Sequence, residues 1–156
     1  MKVLMVCLGN ICRSPLAEGI LQERAWRAGL DWSVESAGTL GYHAGSPPHP
    51  MSIKVAFSNG IDIGTQRARH FVAEDFDRYD RIFALAGDVM REIERIAGKR
   101  FDASKADLLM NVSRPGEDMD VPDPYGGPES DYREAFQLID EACTRFVEMH
   151  VTKKQR

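Results

Sequence analysis

Six consecutive apolar residues, Val3-Leu4-Met5-Val6-Cys7-Leu8, run straight into Gly9-Asn10. An unbroken apolar run of this length, stopped by turn residues, has the pattern of a strand buried on both faces, and such strands belong to parallel sheets covered by helices on either side. Beyond it, Ser14 is placed to cap a helix and Pro15 to fill its first position, while Leu16, Ala17, Ile20, Leu21 and Ala28 mark one face before Gly29. The expectation is a central strand, a short loop, and a helix over Pro15 to Ala28. Six residues are too few for a signal-peptide core or a membrane span, so the run is read as neither export signal nor anchor.

The alternation of element types continues along the chain. Trp32, Val34 and Ser36 alternate with polar residues as in a short strand, and Gly38 to Pro50 forms a Gly/Pro-rich loop too long for a simple turn. Helical spacing over Met51 to Asn59 ends at Gly60; Ile82 to Ala86 is a second buried strand pattern, followed by a helix over Asp88 to Ala97 and a strand over Ala106 to Asn111. A last helix follows Ser130, with Phe136, Ile139, Cys143 and Phe146 on its apolar stripe. Strands alternating with helices give right-handed βαβ units. We therefore expect an α/β, flavodoxin-like three-layer sandwich: a central four-stranded parallel sheet flanked by helices, as one domain over residues 1–156.

Charge and cysteine usage narrow the function. Twenty Lys and Arg against 24 Asp and Glu leave a formal charge of −4, which speaks against general binding to nucleic acid or to anionic membrane surfaces. Three cysteines, at 7, 12 and 143, form neither a secreted disulfide framework nor a zinc spacing, and this usage fits the reducing cytoplasm. His43, His49, His70 and His150 share no ligand spacing and are read as solvated or loop residues, so no metal is expected.

The chemistry is concentrated in Cys7-Leu8-Gly9-Asn10-Ile11-Cys12-Arg13-Ser14, where a buried strand ends and a helix begins. Backbone N–H groups of Leu8, Gly9, Asn10, Ile11, Cys12, Arg13 and Ser14 converge there on the positive end of a helix dipole, a cradle for a phosphate dianion. Cys7 at the mouth feels the same field, which favours the nucleophilic thiolate. Arg13 offers a planar fork for two phosphate oxygens, a grip that lysine cannot reproduce. Ser14 can donate to the Cys7 sulfur, and Gly9 and Asn10 tolerate the left-handed backbone angles of a loop wrapped around an anion.

This octet, together with Ser36-Ala37-Gly38-Thr39 and Asp123-Pro124-Tyr125, resembles the low-molecular-weight protein tyrosine phosphatases over essentially the whole chain. The resemblance implies the phosphotyrosine protein phosphatase I type of flavodoxin-like fold, with Cys7 as nucleophile through a phosphocysteine, Arg13 as clamp, and Ser14 steadying the sulfur. An aryl oxide leaves more readily if it is protonated, and Asp123 in the turn-rich segment Val121 to Gly127 is the acid and later the base that the resemblance supplies. By similarity Tyr42 and Tyr125 line a slot for the phosphotyrosine ring, and Cys12 protects Cys7 from over-oxidation through a reversible bond. No cofactor is implied. Tyrosine-phosphorylated proteins are the implied substrates, a tyrosine kinase is a candidate partner, and inorganic phosphate is the product.

The chain departs from its relatives at three places: Gln66 stands where they commonly carry His, Asp88 lies in an altered Ala86 to Met90 segment, and His49-Pro50 replaces Asp-Pro. Three rival readings are weaker. An arsenate reductase needs two further cysteines downstream of the loop, and none lies between Arg13 and Cys143. Arginine phosphatases resemble a Thr at the position of Ile11, whose bulk favours an aryl phosphate. A phosphate-binding module without turnover would need only the clamp and the loop amides, not nucleophile and acid as well.

Overall fold

The computed structural model describes residues 1–155, and side-chain burial through Thr152; Arg156, the last residue of the expected domain, lies outside the described residues. Strand β1 spans Lys2–Cys7, and helix α1 follows over Arg13–Arg27. Next come β2 (Ser33–Gly38), α2 (Pro50–Ser58), the single-turn α3 (Asp75–Arg78), β3 (Arg81–Ala84) and α4 (Gly87–Ala97). The chain ends with β4 (Ala106–Leu108) and the long α5 (Glu129–Gln155), with 3-10 turns at Gly98–Arg100 and Leu109–Asn111.

All pairings are parallel and the strand order is β2-β1-β3-β4, the expected four-stranded sheet. Its two faces are filled by alternate residues of the same strands. Val3, Met5 and Cys7 of β1 pack with Phe83 of β3 against α1, α2 and α5, while Leu4 and Val6 pack with Ile82 and Ala84 against α3 and α4. Val3 to Val6 are wholly buried, which explains why β1 reads as an unbroken apolar run. Each such Leu, Val or Met contributes roughly 1.5–3 kcal/mol by burial. Cys143 sits fully buried on the apolar face of α5, where burial pushes its thiol up, in keeping with a packing role.

Several local expectations are corrected. Helix α1 begins at Arg13, so Ser14 does not cap it; no side chain does, and Pro15 falls in the first turn, where its missing N–H is tolerated. The fourth strand stops at Leu108 because Leu109 and Met110 turn inward to the core beneath α5. Helix α3 was not foreseen. Its Asp75 is fully buried and accepts from the two terminal Arg69 guanidinium nitrogens at 3.0 Å and from Val72 N–H at 2.9 Å, so a charge network, together with the buried Phe76, holds this turn.

Candidate active site

The carboxyl ends of β1, β2 and β3 lie side by side; the connection leaving β1 runs to β2 on one side and that leaving β3 runs to β4 on the other, so β1 and β3 flank the point where open α/β sheets receive ligands. Leaving β1, the loop from Leu8 to Cys12 crosses the end of β2 so closely that a Cβ on Gly38 would stand 2.8 Å from the Leu8 carbonyl oxygen. Only glycine fits there. Asn10 has a φ of 57°, the left-handed angle the sequence led us to expect, and its side chain fixes the loop from inside. Asn10 Nδ2 donates to Ser14 Oγ at 2.8 Å and to Ser36 Oγ at 3.0 Å, and Asn10 Oδ1 accepts from the Arg69 N–H at 3.0 Å.

Cys7 Sγ and Ser14 Oγ are 3.0 Å apart at the end of this network. Arg13, at the first position of α1, is 5% exposed; its Nη1 donates to the Val121 carbonyl at 3.0 Å, and its Nη2 lies 3.8 Å from Asp123 Oδ2. The guanidinium thereby joins the start of α1 to a loop more than a hundred residues away. In that loop Asp123 Oδ1 accepts from the Tyr125 N–H at 3.1 Å, a local turn that orients the carboxyl. Asp123 stays partly open to solvent.

Cys7, Arg13 and Asp123 line one hollow of about 250 Å³, walled by Leu8, Gly9, Ile11, Cys12, Leu40, Tyr42, His43 and Tyr125. The two tyrosines stand at its rim with most of their surface exposed, Tyr42 at 87% and Tyr125 at 61%. A wider hollow of about 790 Å³ adjoins it on the α4 side, shares Leu8, Arg13 and Asp123, and is lined by Asp88, Asp107, Asp118 and Asp120; it does not reach Cys7.

Sequence reasoning missed several contributors. His43 and Leu40 line the site; His43 packs so closely that a Cβ on Gly9 would lie 3.1 Å from its ring. His49 is no loop bystander: its Nδ1 accepts from Met51 N–H and so caps α2, and its ring stacks on Tyr132 at 5.2 Å and meets Tyr125 edge-on at 5.9 Å. Cys12 is buried with its sulfur 3.8 Å from the Tyr132 hydroxyl, and burial raises its thiol to about 12. All three cysteines are free. The only available signal for His43 and Leu40 was the unusual length of their loop, since nothing local says where such a loop folds back.

Two of the departures also find a place. Gln66 Nε2 donates to the Pro15 carbonyl at 3.1 Å and does not touch Asn10; the Asn10–Ser36 pair ends instead on Glu18, whose Oε1 accepts from Ser36 Oγ at 2.7 Å. Asp88 accepts from its neighbour Val89 N–H and faces the wider hollow, away from the loop network. Burial raises the Glu18 carboxyl above its ordinary 4.5, opposed by the Ser36 hydrogen bond. The neutral carboxyl is thus favoured in the folded chain, and the stability it contributes is fully present below the unfolded value and lost as pH rises through the raised one. Glu18→Gln keeps an acceptor for Ser36 without the charge. Its stability relative to wild type should rise between about pH 5 and about pH 8. Urea midpoints that differ by the same amount at both pH values would remove Glu18 from the pH dependence.

Among the described residues, no group of three or more His, Cys, Asp or Glu side chains is placed to hold a metal ion, and no helix is long and apolar enough to cross a membrane. A loop between a central parallel strand and a helix N-terminus, carrying a sulfur at one end and a guanidinium at the other, defines a class of α/β protein with the geometry of an oxyanion site beside a thiol. The sequence profile described as "Low molecular weight phosphotyrosine protein phosphatase" matches residues 2–156, and the chain belongs to this family of phosphatases.

Relatives agree over most of the chain. The low molecular weight protein-tyrosine-phosphatase of Streptomyces coelicolor is 38% identical over 147 residues, covering 92% of this chain and 89% of that one. The crystal structure of a protein tyrosine phosphatase from Entamoeba histolytica, with Hepes in its active site, matches at a TM-score of 0.88 and 31% identity over 99% of both chains. A YwlE arginine phosphatase variant with a phosphorylated active-site serine matches at a TM-score of 0.86 and 27% identity, over 100% of this chain and 98% of that one.

Proposed function

We propose that this phosphatase hydrolyses phosphotyrosine and other aryl phosphates through a phosphocysteine on Cys7. The observation that carries the reading is the meeting of Cys7, Arg13 and Asp123 in one hollow with two tyrosines at its rim. The phosphate dianion sits in the loop amides with Arg13 across two of its oxygens. The Cys7 sulfur attacks phosphorus in line; the S–P bond forms as the aryl P–O bond breaks, and the leaving oxygen takes the Asp123 proton. Water then attacks the phosphocysteine, giving its proton back to Asp123, and the sulfur leaves with the S–P electron pair as inorganic phosphate departs. Ser14, 3.0 Å from the sulfur, donates to it whenever it carries charge.

Tyr42 and Tyr125 supply flat walls for the phenyl ring, and apolar Ile11 in the lining suits an aryl group better than a guanidino one. The substrates are therefore phosphotyrosyl proteins, supplied by a tyrosine kinase. The free thiols suit a reducing cytoplasm, where Cys12, lining the same hollow as Cys7, serves as its protective partner under oxidation.

The test is to mix enzyme with p-nitrophenyl phosphate, quench within milliseconds and locate the phosphate by mass spectrometry. It is expected on Cys7. Finding phosphate on no residue during turnover would reject the covalent route. The acid is tested separately: Asp123→Asn should slow phenyl phosphate by about 100-fold or more while affecting p-nitrophenyl phosphate, whose leaving group needs little help, by far less. Equal losses on both esters would show that Asp123 is not the donor.

A further inference from the structure

Helix α4 begins without a cap of its own. Ala86, in extended backbone at φ −158° and ψ 161°, has no side-chain oxygen for the first free N–H groups of the helix. The oxygen arrives from another part of the chain: Asp120 Oδ1 accepts from the Gly87 N–H at 2.8 Å. Asp120 stands three residues before Asp123. Between them, Val121 N–H donates to the Leu85 carbonyl at 2.9 Å, and the Val121 carbonyl accepts from Arg13 at 3.0 Å. Pro122 then fixes one backbone angle immediately ahead of the acid.

We propose that Asp120 is a positioning residue for the proton donor: by capping α4 it holds the start of the acid loop, so that Asp123 meets the leaving oxygen. Asp120 is exposed and makes no ion pair among the described residues. Its partner is the helix N-terminus, which attracts a carboxylate as well as hydrogen-bonding it. A Cβ at Gly87 would lie 3.7 Å from both Asp120 Oδ1 and Arg91 Nη1, an ordinary contact distance, so the cap rests on the backbone N–H and not on glycine's missing side chain. Losing the cap frees the stretch ahead of Pro122, and a displacement of the order of 1 Å at a proton donor is costly when the leaving group depends on it.

The inference rests on the reading of Asp123 as the acid, and the experiment separates the two. We expect Asp120→Ala to lower kcat/KM on phenyl phosphate by about tenfold and on p-nitrophenyl phosphate by less than about twofold. Asp120→Asn, which keeps the acceptor oxygen, should restore most of the loss. A merely structural cap would affect both esters alike or neither, and either result overturns the proposal, as does failure of the Asn variant to recover. If Asp123→Asn shows the leaving-group selectivity and Asp120→Ala does not, the positioning role alone falls. If neither shows it, the acid assignment falls and takes this proposal with it.

Discussion

Cys7→Ser is expected to abolish turnover of p-nitrophenyl phosphate, with kcat reduced by at least about 10,000-fold, while the protein still binds inorganic phosphate. The two halves of this result have different sources. An alcohol at position 7 would have to attack without a base at hand, since its nearest side-chain partner is another hydroxyl, Ser14 Oγ, at 3.0 Å from the present sulfur. The proposed cradle, by contrast, consists of loop amides and Arg13 held in place by the Asn10 network, whose hydrogen bonds do not involve the sulfur. Competition by phosphate, followed by calorimetry on the variant, measures the second half. A Ser variant that turns over within tenfold of wild type would mean that the nucleophile lies elsewhere.

Arg13→Lys should be almost as damaging, with kcat lower by about 1,000-fold and phosphate binding weakened in the same protein. The guanidinium holds the Val121 carbonyl through Nη1 and approaches Asp123 through Nη2. An ammonium is one point charge on a flexible stem. It cannot tie down that carbonyl and present a planar fork to two phosphate oxygens at once. Arg13 is also buried, so a misplaced lysine would leave a charge partly unpaired beside the apolar sheet. If kcat and phosphate affinity of Arg13→Lys both stay within threefold of wild type, charge alone suffices and the fork has no role.

The two substitutions probe the part of the site that was legible in the sequence, because Cys7, Asn10, Arg13 and Ser14 occupy one contiguous stretch between a strand and a helix. The loop that carries Asp123 is different. Asp123 could be named from its resemblance to a family pattern, but its distance of 3.8 Å from Arg13 depends on the Val121 contacts with β1–α1 and with the end of β3. Gln66 shows the opposite case. Its place in the sequence suggested a link to the loop network, whereas the side chain turns to the Pro15 carbonyl and Glu18 takes the position beside Ser36.

What the sequence determined by itself was the sheet, its buried central strand and the set of chemistry-bearing residues in the loop between β1 and α1. These follow from side-chain periodicity and from residue types adjacent along the chain, which backbone geometry alone converts into neighbours in space. Tertiary structure decided the short fourth strand, the charge-held α3, the seats of His43 and His49, the Glu18 end of the hydrogen-bond network and the Asp120 cap. The seat of His43, the Glu18–Ser36 bond and the Asp120 cap join segments well separated in sequence, whereas the α3 network and the His49 cap are local. No local pattern encodes such a pairing, because the energy that selects it appears only when packing brings a donor and an acceptor together and excludes the water that would otherwise serve both.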